Sequence, residues 1–168
     1  MSPSSPPPIW KHVFNFTRVV FALLVVNKAG GLIYNREFSA GLNKLNSNDL
    51  LILAGTFHGV HAITRSLSPL PRPPYGSFAP TDVPVRPTGL EVLESTHFRL
   101  TCFQTATGVK FLLLTDPPQP NIDVMLRRIY ELYADYVMKN PFYTVEMPIR
   151  CEKFDRGLDG YLRVIARA

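Results

Sequence analysis

The chain has 168 residues, a formal net charge of +5 and two cysteines, Cys102 and Cys151, which do not form a CxxC pair. Its length corresponds to about one domain, and because such a domain buries about 70% of its unfolded surface, it needs no disulfide framework. We therefore read the chain as reduced and intracellular. Runs of Lys and Arg never exceed two residues, which argues against a nucleic-acid patch.

A tail and a β-hairpin are predicted at the start of the chain. Residues 1–18 are predicted to form a disordered tail, because their first part is almost entirely serine and proline. Val19 to Val26 is a run of eight apolar residues, too short for a membrane span of about 20 residues but typical of a strand buried on both faces. Gly30-Gly31 predicts a turn into a second strand, Leu32 to Phe38.

A long helix is predicted between Ser47 and Ser68. Ser47, Asn48 and Asp49 are candidate N-caps, and Pro69 ends the helix. The predicted inner face recurs at helical spacing and comprises Leu50, Leu53, Ala54, Phe57, Val60, Thr64 and Leu67.

The opposite side of this helix lacks the charges that a solvated helix surface carries. Arg65 is the only charged residue from Leu50 to Leu67. Small or apolar residues fill the back of the helical wheel instead: Leu51, Gly55, Gly59, Ala62 and Ser66. We expect another protein to cover Leu51, Gly55, His58, Gly59 and Ala62. Cover by the chain's own loops is the alternative.

The rest of the chain predicts a loop, three strands and two helices. Seven prolines mark a loop at 68–88, strands are predicted at 89–95, 98–104 and 109–115, and helices at 122–140 and from about 149 to the end. The order β-β-α-β-β-β-α-α predicts an α+β fold with a five-stranded antiparallel sheet. We expect both main helices to cover one face of this sheet, and the fully apolar strands leave room for cover on the other.

No catalytic, cofactor or metal residue is nominated by the sequence. Nucleophile-elbow, Walker, zinc-protease and kinase signatures do not occur in it. His58 and His61 have a spacing compatible with a shared metal, but no carboxylate or cysteine lies one or two turns away on that side of the helix. We read His61 as a packing residue and Cys102 as an inert core thiol. An enzyme with an unrecognised polar pocket stays open as an alternative.

Three long motifs carry a family resemblance. They are VVNKAGGLIY at 25–34, KNPFY at 139–143 and EMPIRCE at 146–152. With Phe103-Gln104-Thr105 and Lys110-Phe111, they resemble the synbindin family, the longin-fold core subunits of the TRAPP tethering complex. The likeness runs from about residue 19, and it implies a longin domain over residues 19–168. Animal synbindins carry a PDZ-like insertion before the first helix, whereas only residues 39–46 fill that gap here, as in a fungal-like form.

The resemblance implies a non-catalytic subunit in endoplasmic reticulum to Golgi vesicle transport. Such a subunit pairs with a second longin subunit and a Bet3-type subunit, and the assembly holds a Rab-family GTPase for guanine nucleotide exchange. Cytoplasmic location follows, with peripheral association at the endoplasmic reticulum and cis-Golgi through the complex. Lys28, Tyr34, Phe142 and Tyr143 are candidates for the GTPase platform, because turn and loop aromatics often face partners. A stand-alone longin adaptor or SNARE-like module is the alternative.

Overall fold

A computed structural model describes residues 19–39, 45–67 and 89–165. The predicted N-terminal tail and the proline-rich loop lie outside these residues. The elements in chain order are β1 (Val20–Val26), β2 (Leu32–Glu37), α1 (Ser47–Ser66), β3 (Val92–Glu94), β4 (Arg99–Gln104), β5 (Lys110–Thr115), α2 (Ile122–Tyr133), a π-helical turn (Ala134–Met138) that continues α2, and α3 (Glu152–Ile165).

The strands form one antiparallel sheet in the order β2-β1-β5-β4-β3. This confirms the predicted α+β fold and its five-stranded sheet. The most apolar strands, β1 and β5, lie next to each other near the middle, with Leu24 opposite Leu112. The exposed three-residue β3 forms one edge. Buried backbone groups of central strands pair within the sheet, so the apolar residues there are free to pack on both faces.

The two faces of the sheet are covered by different helices. Leu24, Leu112 and Leu114 pack with the inner side of α1, whereas Leu23, Phe111 and Leu113 pack with α2 and α3. The expectation that both main helices cover one face is therefore wrong. Its physical reason is the composition of β1 and β5, because strands apolar at every position require cover on both faces.

The N-cap of helix α1 lies one residue before the first of the predicted candidates. Asn46 is its N-cap, and a reciprocal pair of hydrogen bonds with Asp49 forms a capping box. Leu50, Ala54, Phe57 and His61 are the buried residues of the helix. Two residues predicted for the inner face are instead exposed, Val60 and Leu67. The inner face is rotated toward His61.

His61 accounts for that rotation because its ring is held by hydrogen bonds at both nitrogens. Nδ1 lies 3.2 Å from the Leu90 carbonyl oxygen, and Nε2 lies 2.7 Å from the terminal amide of Gln104 at the atom placed as Oε1. A carbonyl only accepts, so Nδ1 carries the hydrogen and donates it. In the neutral ring Nε2 accepts, so the amide NH₂ group of Gln104 takes the position facing Nε2. His61 is thus a satisfied packing residue, as the sequence predicted.

Candidate functional site

The side of α1 that faces away from the sheet is apolar and open. We define the outer face of α1 as Leu51, Ile52, Gly55, Gly59, Ala62 and Ile63. Among these, Gly59 is half-buried and the others are exposed. Helix α2 is different, because its exposed side carries the charged residues Asp123, Arg127 and Glu131. The contrast predicted from the sequence is therefore present in the free chain.

Two residues of this outer face were missed by the sequence reasoning. Ile52 is 59% exposed and Ile63 is 64% exposed. At about 100° per residue, Ile52 lies about 20° and Ile63 about 40° from Gly59 on the helical wheel. The helical wheel places these two isoleucines beside the row of small residues, but the predicted outer side included that row and left the isoleucines out.

The two glycines make the outer face flat. A Cβ atom added at Gly55 or Gly59 would meet nothing within 4 Å, among the residues that the structure describes. Glycine costs roughly 1 kcal/mol of helix propensity relative to alanine. No contact within the described part of the chain therefore requires glycine at these two positions. A flat, small-residue surface lets a second backbone approach closely.

His58 lies on the flank of α1, where the helix meets the β1–β2 turn. A Cβ atom added at Gly30 would lie 2.9 Å from the His58 ring, and Gly30 has a φ of +95°, so both space and backbone conformation require glycine there. The Nδ1 atom of His58 lies 3.4 Å from Nζ of Lys110. Burial, followed by the positive charge of Lys110, lowers the pKa of His58. The ring is therefore held neutral as an acceptor for the ammonium group.

Three of the four platform candidates lie at one end of the sheet. Lys28 is exposed in the β1–β2 turn, and Phe142 is 92% exposed in the loop between the π-helical turn and α3. Tyr143 follows it, half-buried, and its hydroxyl donates to the Met147 carbonyl oxygen at 2.9 Å. The turn and the loop are joined where Asn27 Nδ2 donates to the carbonyl oxygen of Glu146 at 3.3 Å.

Tyr34 does not join that group, which corrects its nomination as a turn aromatic. It lies within β2, is 8% exposed and packs edge-on against Phe154. Its hydroxyl donates to Asp155 at 2.6 Å. In the free chain Tyr34 therefore holds α3 against the sheet, while the neighbouring loop exposes two apolar residues that the sequence did not indicate, Val145 and Met147.

The clefts of the described residues offer little for catalysis. A cleft of about 330 Å³ beside β4 brings together His61, Cys102, Gln104 and Asp123 among its lining residues. His61 and Gln104 are already paired, and burial raises the pKa of Cys102 to about 12, so the thiol stays protonated and is a poor nucleophile. Within residues 19–39, 45–67 and 89–165, no cluster of three His, Cys, Asp or Glu side chains suits a metal ion.

In the part of the chain that the structure describes, no helix is a candidate for a membrane span. None of its helices combines the length and the apolar character that crossing a bilayer requires.

Comparisons with known proteins agree with the fold. The model of the sybindin-like family matches residues 20–165. The chain is 43% identical to trafficking protein particle complex subunit 4 of Dictyostelium discoideum, over 85% of this chain and 96% of that protein. It is 48% identical to the Bos taurus protein of the same name, over 76% of this chain and 52% of the relative, so it spans about half the length of that mammalian protein. Subunit 1 of the same complex in Dictyostelium discoideum is 25% identical over 86% of this chain.

Proposed function

The chain belongs to the sybindin-like family, and from this we propose that it is a non-catalytic core subunit of a TRAPP tethering complex. It pairs with a second longin subunit through the outer face of α1 and also contacts a Bet3-type subunit. The assembly supports nucleotide exchange on a Rab-family GTPase in transport from the endoplasmic reticulum to the Golgi, where the chain associates peripherally through the complex. Exchange is then a linkage effect, in which the assembly binds the nucleotide-free GTPase better than the loaded one.

The observation that carries this proposal is the uncharged outer face of α1. Leu51, Ile52 and Ile63 are exposed there in one continuous stripe beside the two glycines. Contiguous exposed apolar surface marks interaction sites in soluble proteins. The relative named subunit 1 is similar over 95% of its own length, which supports a partner of the same architecture in the complex that its name denotes.

Gly59→Arg tests the interface. A Cβ atom added at this position meets nothing within 4 Å among the described residues outside the local helix backbone, so we expect the fold to tolerate the substitution. The arginine places a charge in the middle of the apolar stripe. We expect loss of co-purification with a co-expressed subunit 1-type longin protein, measured by affinity capture and by the size of the product. Gly160→Arg on α3 is the matched control, because that glycine is equally open.

The pairing proposal fails if Gly59→Arg assembles as well as the wild type. Equal loss with Gly160→Arg would also count against it, because a general effect of a new surface arginine would then explain the result. A wild-type chain that stays alone with both longin and Bet3-type candidates would favour the stand-alone adaptor.

A further inference from the structure

Lys110 is a buried lysine whose ammonium group has only neutral acceptors nearby. It is the first residue of β5, lies on the face of the sheet that α1 covers and is 4% exposed. Nζ lies 3.4 Å from the Gly108 carbonyl oxygen and 3.4 Å from Nδ1 of His58. Both contacts are at the long end of the hydrogen-bond range. A buried charge is costly unless a counter-charge and good hydrogen bonds accompany it.

The described surroundings of Lys110 add positive charge and no close counter-charge. No carboxylate of the described residues lies within 4 Å of Nζ. Lys28 is near, since its Cγ lies 3.2 Å from where a Gly108 Cβ would be. Burial lowers the pKa of Lys110; Cys102 acts in the opposite direction, and the charge of Arg65 on α1 adds to the lowering. Lys110 is thus a buried positive charge without a close counter-charge among the described residues, at the flank of the outer face.

We propose that Lys110 and His58 form a receptor for one carboxylate side chain, an Asp or Glu presented by the protein that docks on α1. This inference rests on the proposed function, because it names the chemistry that the partner brings to the same surface. The ammonium group donates to Nδ1 of His58, which leaves the ring hydrogen on Nε2. A remaining ammonium hydrogen of Lys110 donates to one oxygen of the carboxylate. The Nε2–H group points away from Nζ on the opposite edge of the ring, so His58 acts by positioning the ammonium group through Nδ1.

The position of His58 explains why a docking protein is the source of the anion. Its ring is half-buried and sits between the outer face of α1 and the β1–β2 turn. A partner seated on Gly59 and Ala62 would exclude water from this ring, and ion pairs strengthen when water is removed. The net charge of +5 favours the approach of an acidic surface.

The test compares the affinity of purified full-length variants for the purified subunit 1-type longin partner. Lys110→Met keeps the length of the side chain and removes its charge. We expect a loss of affinity of about 30-fold or more, because removing one partner of a desolvated charge pair chiefly speeds dissociation. The salt dependence of binding should become shallower. His58→Ala should weaken binding by about tenfold, which keeps the test available if Lys110→Met folds poorly.

A second readout separates this role from a structural one. We expect Lys110→Met to raise the midpoint of thermal unfolding of the free chain, because it removes an uncompensated buried charge. A structural lysine would instead lower that midpoint when replaced. Lys153→Met, at an exposed position of α3, is the control and should change neither affinity nor thermal midpoint.

Several outcomes would overturn the receptor. One is an affinity of Lys110→Met and His58→Ala within threefold of the wild type while Gly59→Arg still blocks binding; the proposed pairing then stands and only the receptor fails. Another is an Asp82→Asn variant that destabilises the free chain as much as Lys110→Met does. Asp82 is the one acidic side chain outside the described residues, and it would then be the counter-charge of Lys110. Binding to phosphatidylserine vesicles that Lys110→Met abolishes would make the anion a lipid. If the wild type does not bind the partner, both proposals fail.

Discussion

The Tyr34 hydroxyl links the edge of the sheet to α3. It donates to Asp155 at 2.6 Å, and the Asp155 carboxylate also lies 3.0 Å from an Arg36 guanidinium nitrogen. Arg36 reaches Asp159, one turn further along α3, at 2.6 Å. Four side chains from β2 and α3 therefore share one partly buried network, and each hydrogen bond within it depends on the position of the others.

Tyr34→Phe should reduce the free energy of unfolding by about 1 kcal/mol at neutral pH, because it removes one hydrogen bond to a charged acceptor and leaves the ring in place. Burial, followed by the hydrogen bond to Asp155, raises the pKa of Tyr34 above its ordinary value of 10.0. Above that pH the unfolded phenol loses its proton while the folded one keeps it, so stability falls as pH rises. Urea unfolding at pH 8 and pH 11 should show a steeper loss in the wild type than in the variant. Parallel losses would contradict this.

Tyr34 also shows where sequence reasoning stops at the residue scale. A tyrosine three residues after a glycine pair was reasonably taken for a partner-facing aromatic. Its burial depends on Asp155, which lies 121 residues later, and no local pattern specifies such a pairing. His61 was read correctly as a packing residue, although the predicted inner face of the helix did not include it. Phe142 stays a prediction: its exposure is compatible with a contact role but does not identify the contact.

The elements were predicted more fully than the contacts between them. Apolar runs and turn residues located each strand and helix, because these signals are local. The side of the sheet that α1 covers was predicted wrongly, since local periodicity does not specify which way a connection crosses a sheet. The π-helical turn was not foreseen either. Within this turn, the Tyr136 carbonyl oxygen accepts from the Cys151 thiol at 3.5 Å.

The start of α1 gives an element-scale prediction. Asn46→Ala should lower the free energy of unfolding by about 1 kcal/mol, because it removes the side-chain acceptor for the Asp49 amide and one half of the capping box. Ser47→Ala is the control. Ser47 was a candidate cap from sequence, but it lies inside the helix, and its replacement should change stability by less than about 0.5 kcal/mol. Urea denaturation of both variants measures the difference, and a larger loss for Ser47→Ala would place the cap elsewhere.

At the scale of the whole molecule, the sheet separates two cores of different size. The cluster beneath α2 and α3 holds large buried side chains such as Phe111 and Phe154, whereas α1 covers its face with Leu50, Ala54 and Phe57. Among the residues that the structure describes, α1 is the one helix that covers the second face, and its own outer side is apolar. A partner docked on α1 would complete a four-layer arrangement. The apolar composition of β1 and β5 requires α1 on the second face of the sheet, and the apolar outer face of α1 in turn favours the proposed partner.

The loop between the π-helical turn and α3 supplies the prediction for the assembled complex. Phe142 is 92% exposed, so Phe142→Ala removes little packing and should leave the free energy of unfolding within about 0.5 kcal/mol of the wild type. If Phe142 anchors the GTPase, losing a buried aromatic contact costs more than about 1 kcal/mol of binding. The rate of nucleotide release from a Rab-family GTPase, measured with the full complex below saturation, should then fall several-fold.

Val164→Ala separates that effect from a general loss of exposed apolar surface. Val164 is similarly exposed but lies on α3, away from the loop that carries Phe142. Because the proposed longin pairing uses α1, both variants should assemble normally, and only Phe142→Ala should slow exchange. An unchanged release rate for Phe142→Ala in a fully assembled complex would remove Phe142 from the platform. If Val164→Ala slows nucleotide release equally, the GTPase contact would be assigned to a surface that includes α3.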